Sequence, residues 1–315
     1  MAEDGATAVP RIVVLMATHQ GARYIDEQLR TVLGQQGVEV RLVISDDAST
    51  DGTAAIVASA AHDPRVTVLP ARRSGSAPGN FLRLVREADV ADADAVAFVD
   101  QDDLWHLDKL SRQWALLGSR GADAVSSDVL AFWGPDPEHA TAARMLRKSQ
   151  PQRELDFLLE SAGPGCTFLM SARAFATIRE VVADPARIDP SVPHDWLAYA
   201  IVRATGGSWY IDDESTLDYR QHGKNTTGAN VGLRQAAVRG GKLANGEYRR
   251  QCGAVARLSA ELAEGALGAR LAAVAPLFDR SDLASRRALW RIAPQLRRDP
   301  RDVVLLRLVL LLGTW

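Results

Sequence analysis

The stretch that most constrains this chain is an apolar run that ends on acid: Ala95-Val96-Ala97-Phe98-Val99 leads directly into Asp100-Gln101-Asp102-Asp103-Leu104-Trp105. An uninterrupted apolar run of this length reads as a strand buried on both faces, the pattern of a parallel sheet covered by helices. Its carboxylates then emerge at the carboxyl end of the strand, the edge at which open α/β sheets bind ligands. Clustered Asp oxygens there suit a hard divalent cation that keeps positions open for phosphate oxygens. The same residues also suit the acidic start of a helix from about Lys109 to Leu117, where carboxylates meet orphan N–H groups and the positive end of the dipole. On these residues alone both readings stand.

The chain before this point supplies the rest of a sheet. Arg11 to Ala17 is a β-rich apolar run followed by the loop Thr18-His19-Gln20-Gly21. Ile25, Leu29, Val32 and Leu33 then recur at helical spacing, with Asp26 and Glu27 in the first turn. Val38 to Ile44 gives a second strand closing on Ser45-Asp46-Asp47, and Ser49-Thr50-Asp51 caps a helix through Ile56 and Val57. A third strand, Val66 to Leu69, precedes a Gly/Ser/Pro loop from Ser74 to Gly79 and a helix from Phe81 to Ala88. Strands alternating with helices imply an α/β, doubly wound, mostly parallel nucleotide-binding sheet with right-handed crossovers.

Composition narrows the class. A net charge of −2 over 315 residues argues against a nucleic-acid partner, because affinity for phosphate backbones needs a basic surface. The two cysteines, Cys166 and Cys252, have no metal-type spacing and fit a reducing compartment. Met1 to Pro10 has no basic n-region or apolar core, so a cytoplasmic location is expected. Val303 to Leu312 is interrupted by Arg307 and shorter than the roughly 20 residues a spanning helix needs, so it would lie on a membrane rather than cross it. Several motifs fail. Asp47, Ser49, Asp51 and Gly52 mimic an EF-hand start, but Ala58 stands where the bidentate Glu is required. No Gly-x-x-x-x-Gly-Lys loop occurs, and Gly163-Pro164-Gly165 lacks the third glycine of a dinucleotide fingerprint. Asn225-Thr226-Thr227 reads as a polar turn rather than a glycosylation acceptor.

Five motifs in order carry a family resemblance: Val14-Leu15-Met16-Ala17-Thr18-His19-Gln20, Ser45-Asp46-Asp47-Ala48-Ser49-Thr50-Asp51-Gly52-Thr53, Asp100-Gln101-Asp102-Asp103-Leu104-Trp105, His194-Asp195-Trp196, and Tyr219-Arg220-Gln221-His222-Gly223. Together they resemble the family 2 inverting glycosyltransferases of GT-A fold, and their wording resembles the bacterial rhamnosyltransferase branch. The resemblance implies transfer of a sugar from a nucleotide-diphosphate donor, a dTDP- or UDP-sugar with dTDP-L-rhamnose first, to a hydroxyl of a glycan or lipid-linked acceptor in cell-surface polysaccharide synthesis. It also implies Mn²⁺ or Mg²⁺.

Residue by residue, the resemblance places Thr18, His19, Asp46 and Asp47 at the nucleotide, with Asn80, Asp100, Gln101 and Asp102 beside them. His19 stands where the family usually has Tyr or Phe. Asp102 and His222 are implied as cation ligands, a role that suits a neutral imidazole, while Asp103 is the expected helix cap. Trp105, Gly163, Gly165, Cys166, His194 and Trp196 are implied around the sugar and acceptor, glycine permitting close backbone approach. Asp195, at the start of a helix carrying Leu197, Ile201 and Val202, resembles the family's catalytic base. Arg72, Arg73 and Arg220 are candidates to meet phosphate or sugar.

The expected division is a transferase domain over residues 1–228, with a nucleotide half to about 105 and an acceptor half from about 106, followed by a helical extension over 229–315. In that extension Val255, Leu258 and Leu262 mark an amphipathic helix packing on the transferase core or on a second copy in a homodimer. Arg286, Arg287, Arg291, Arg297, Arg298 and Arg301 beside Leu289, Trp290 and the Val303–Leu312 run suit an anionic membrane surface, which would make the protein peripheral at the inner face of the cell membrane, or a helix docked on the protein's own core. Two other classes remain: a sugar nucleotidyltransferase, though Gly21-Ala22-Arg23 is thin for a triphosphate loop, and a non-catalytic nucleotide-sugar-binding partner.

Overall fold

A computed structural model describes residues 9–222 and 245–315. Met1 to Ala8, Gly223, the Asn225-Thr226-Thr227 turn and the expected junction at 228/229 lie outside the described residues. The chain opens with β1 (Arg11–Thr18), α1 (Ile25–Leu33), β2 (Glu39–Asp46), α2 (Thr53–Ala60), β3 (Val66–Val68), α3 (Ala77–Glu87) and β4 (Ala95–Val99). β1 alternates strictly: Val13, Leu15 and Ala17 enter one core cluster while Ile12, Val14 and Met16 enter the other, as period-2 side chains on a sheet covered on both faces must. α1 and α2 cover one face and α3 the other, which makes the sheet doubly wound.

The helix expected from Phe81 begins earlier, at Ala77. Ser76 accepts from the Gly79 N–H at 3.1 Å, and Pro78 sits in the first turn, where its missing N–H costs nothing. β1 pairs in parallel with β2 on one side and β4 on the other, and β3 pairs in parallel with β2. Strand order therefore reverses between β1 and β4, and Thr18 and Asp100 leave the sheet side by side at that switch point.

The second half builds onto the same sheet. After β5 (Leu104–Trp105) and α4 (Lys109–Arg120) come β6 (Ala124–Ser127), β7 (Val129–Trp133), β8 (Ala142–Leu146), β9 (Leu169–Ser171), α5 (Ala172–Ala183), α6 (His194–Ala204), β10 (Trp209–Asp212) and β11 (Leu217–Gln221). The large sheet has the order β10-β6-β9-β4-β1-β2-β3, with β9 antiparallel to both its neighbours. A smaller sheet, β5-β11-β7-β8, packs beside it. Asp103 caps no helix: α4 starts at Lys109 with Asp108 at its cap position, and the acidic loop runs into β5 instead.

In the extension, α7 (Glu247–Leu262) buries Cys252, Val255 and Leu258 in the core of the first part of the chain against α6, so this helix docks on its own chain. α8 (Gly265–Asp279), α9 (Leu283–Leu296) and α10 (Pro300–Leu312) follow. Arg298, between α9 and α10, is 1% exposed and pairs with Asp156 at 3.2 Å and Glu160 at 3.4 Å, pinning the last two helices to the core. Leu306 and Leu310 of α10 are buried, while Val304, Leu305, Leu308, Leu311 and Leu312 are exposed. Among the described residues no helix is long and apolar enough to cross a membrane.

Candidate active site

At the switch point the loops are knit by their own side chains. The Thr18 hydroxyl donates to Asp46 Oδ1 at 2.7 Å, and Asp46 also accepts from the Ser49 amide (2.9 Å) and hydroxyl (2.6 Å). Asp47 accepts from the Ser74 and Gly75 amides and so holds that loop over the edge of the sheet. Gln101 spans from β4 to β1: its Oε1 accepts from the His19 amide at 2.8 Å and its Nε2 donates to the His19 carbonyl at 2.9 Å. The His19 ring is exposed, with Nδ1 2.8 Å from the Asp47 carbonyl. Asn80 is buried; it accepts from the Ser45 hydroxyl at 2.6 Å and donates to the Ser45 carbonyl at 2.8 Å. Of the residues placed at the nucleotide, His19 thus presents an exposed ring held through Nδ1, whereas Gln101 and Asn80 shape the loops through hydrogen bonds.

The acidic loop brings oxygen donors together. Burial, with the charges of Asp102 and Asp195, pushes the Asp100 carboxyl up to about 7, and burial raises Asp103 well above the carboxylate range. Asp103 accepts from the Arg220 amide at 3.2 Å through Oδ1, while its buried Oδ2 meets no partner among the described residues. Asp102 and His222, 120 residues apart in sequence, meet with Nε2 2.8 Å from Oδ2. The carboxylate of Asp102 with the His222 imidazole makes a donor pair of the kind that suits a divalent cation, and the Asp100 and Asp103 oxygens form a second acidic group beside it. The Cys166 sulfur also lies within 4.8 Å of the Asp100 and Asp103 oxygens. Burial, with the charges of Asp103 and Asp100, pushes its thiol well up.

Across the cleft, Asp195 stands in the first turn of α6. Burial pushes its carboxyl up to about 6, opposed by hydrogen bonds from the Trp196 and Gly165 amides and by the Lys148 charge. Gly165 is required by close approach: a Cβ there would lie 2.6 Å from His194 Nε2 and 3.3 Å from the Asp195 Cβ. Gly163, at φ +150, turns the loop in a conformation that side chains resist.

Four side chains expected to line the pocket instead build its floor. His194 stacks on Phe81 with centroids 3.7 Å apart and meets Phe98 edge-on, and burial lowers it to about 3, which keeps the ring neutral. Trp196 is buried and donates to the Phe157 carbonyl at 2.7 Å. Trp105 is 2% exposed beneath the Lys109 ammonium, and Cys166 is fully buried. Arg220 does not face phosphate or sugar either. It is 1% exposed, pairs with Glu27 at 2.7 Å, donates to the Asp102 carbonyl at 3.0 Å, and lies against the Tyr24 and Phe132 rings. Arg72 pairs with Glu87. Tyr24, Glu27 and Lys148 were missed by sequence reasoning; helical periodicity placed Glu27 in a first turn, but nothing local pointed to residues so far away.

A doubly wound sheet with acidic loops at its switch point, continued by a second half of mixed parallel and antiparallel pairing, is the GT-A glycosyltransferase architecture. Residues 13–180 match the glycosyl transferase family 2, and the chain belongs to that family. It is 32% identical over 250 residues to the dTDP-rhamnosyl transferase RfbG of Shigella flexneri, spanning 78% of this chain and 85% of that protein. In fold it is similar to S. aureus TarS residues 1–349 in complex with UDP-GlcNAc, with a TM-score of 0.59 over 96% of this chain and 87% of that one at 14% identity. The mannosyltransferase PcManGT of Pyrobaculum calidifontis, in complex with GDP-Man and Mn²⁺, superposes with a TM-score of 0.50 at 17% identity, over 98% of this chain and 86% of that one.

Proposed function

We propose that this family 2 glycosyltransferase moves a sugar from a dTDP-sugar, L-rhamnose first among candidates, to a hydroxyl of a glycan or lipid-linked acceptor with inversion at the anomeric carbon. The observation that carries the mechanism is the Asp195 carboxyl, raised by burial and close enough to the acidic loop for its charge to act on Asp100, beside the Asp102–His222 pair. The similarity to a dTDP-rhamnosyl transferase supports the donor. Asp102 and His222 would hold a divalent cation, which supplies charge neutralisation for the departing diphosphate.

Asp195 takes the proton of the acceptor hydroxyl as its oxygen bonds to the anomeric carbon. The bond from that carbon to the diphosphate oxygen breaks at the same time, and the nucleoside diphosphate leaves with the electron pair. One displacement inverts the centre, and no second carboxylate is needed as a nucleophile. His194, neutral and stacked on Phe81, sets the direction of the first turn of α6 rather than moving a proton.

Binding of a panel of nucleotide sugars to the full chain tests the donor: tightest binding of a UDP-sugar instead would overturn the dTDP assignment. Chelator should abolish transfer and Mn²⁺ restore it, and Asp102→Ala should lose affinity for the Mn²⁺-nucleotide pair. Full activity in chelator would refute the cation reading. Single-turnover transfer separates an enzyme from a non-catalytic binding partner.

A second reading concerns place. α10 exposes Val304, Leu305, Leu308, Leu311 and Leu312, and α9 exposes Trp290, Arg287 and Arg291, with Arg307 of α10 lying over the Trp290 ring; apolar and basic residues are exposed together, as on helices lying against an anionic bilayer. This would hold the enzyme at the cytoplasmic face of the membrane, near lipid-linked acceptors.

A further inference from the structure

The start of α1 lies against the end of β11, and neither element explains the residue found there. Tyr24 occupies the cap position of α1, where Ser, Thr, Asp or Asn would satisfy an orphan N–H; it makes no side-chain cap. It is not a core residue either, being only partly buried. Its ring stacks on the His222 imidazole with centroids 4.9 Å apart and planes 18° from parallel. The Arg220 guanidinium carbon lies 4.7 Å from the same ring.

We infer that Tyr24 is a positioning residue for the cation site: its ring fixes the plane of the His222 imidazole so that Nε2 stays aimed at the Asp102 carboxylate. The inference rests on the reading that Asp102 and His222 hold a divalent cation. A histidine ring turns about a soft terminal torsion, and a ligand is useful only when its nitrogen lone pair points at the ion. Stacking engages the face of the ring, not its Nε2 edge, and opposes rotation out of plane. The 2.8 Å approach of Nε2 to Asp102 Oδ2 is the orientation the stack preserves.

The spacing of both elements supports the pairing. Tyr24 and Glu27 are three apart, neighbours on one face of a helical turn, and Arg220 and His222 are two apart, on one side of an extended chain. Glu27 pairs with Arg220 at 2.7 Å while Tyr24 stacks on His222, so one helical turn addresses the end of β11 and the residue that follows it. Arg220 also donates to the Asp102 carbonyl at 3.0 Å, which ties the backbone of the other ligand to the same cluster. α1 thereby fixes both ligands without contributing one.

The test measures Mn²⁺ binding to the full chain in the presence of dTDP, from the paramagnetic resonance of free Mn²⁺. Tyr24→Leu should weaken Mn²⁺ binding about tenfold, the usual scale for losing a group that orients a ligand. Tyr24→Phe keeps the ring and should bind like wild type, and dTDP affinity without metal should be unchanged in both. Tyr24→Met provides a second non-aromatic variant should Leu lower the melting temperature. Wild-type Mn²⁺ affinity in folded Tyr24→Leu and Tyr24→Met, with His222→Ala impaired, would overturn the inference alone. Wild-type affinity in His222→Ala would overturn the cation reading and the inference with it.

Discussion

At Asp195, burial and catalysis pull in opposite directions. Burial raises its carboxyl to about 6 from an ordinary value of 3.8, so between those limits the folded protein holds a proton that the unfolded chain has released. Stability from this group is therefore present in acid and lost as pH rises through about 6, the range in which a base becomes usable. Asp195→Asn should lower turnover by roughly 10²–10⁴-fold. It should also raise stability above pH 6 by on the order of 1–2 kcal/mol, with the gain vanishing below about pH 4. Wild-type kcat/KM should fall on the acid side of about pH 6, and thermal melts of both proteins at pH 4 and pH 8 check the stability sign. An Asn variant less stable at pH 8 would mean that the carboxylate's hydrogen bonds outweigh its burial. Asp195, Asp102 and His222 could be proposed for the site because each sits in a short motif. Tyr24 and the inward role of Arg220 were not, since Arg220 meets Glu27 across 193 residues and sequence periodicity carries no information over such a span.

The elements of the last segment divide the tail between two expectations. α10 docks on the core through Leu306 and Leu310, yet presents Val304, Leu305, Leu308, Leu311 and Leu312 to the outside. Its composition showed that it was apolar but not which side would be covered, because leucines occupy nearly the whole circumference. The buried Arg298 also means that removing α9 and α10 would take one buried cation away from Asp156 and Glu160, so a truncation would confuse docking with folding. Substitutions on the outer face avoid this. Leu308→Ser with Leu311→Ser should release the protein from anionic vesicles and leave its melting temperature nearly unchanged. Leu306→Ala, on the inner face, should cost about 2–4 kcal/mol of stability and keep vesicle binding. A vesicle titration beside a thermal melt separates the two faces, and retention of the Ser variant on vesicles would refute the membrane reading.

Across the whole molecule, the first four strands were readable because each is an apolar run followed by a helical period. β5 was not: with two residues it is too short for a pattern, and only its partner defines it as a strand. The expected boundary near residue 105 falls between strands that share one sheet, since β6, β9 and β10 continue the order begun by β1 to β4. Both halves should therefore melt together. Calorimetry is expected to give one transition for residues on either side of that boundary, with calorimetric and van't Hoff enthalpies equal, and two resolved transitions there would contradict the shared sheet. The placement of β9 also bears on how the chain is made. β4 is complete at Val99, but the strand that covers its free side begins at Leu169. A ribosome adding about 5–20 residues per second leaves that edge bare for several seconds, and a bare strand edge recruits other chains. During synthesis, the nascent half-sheet is where a chaperone would be needed.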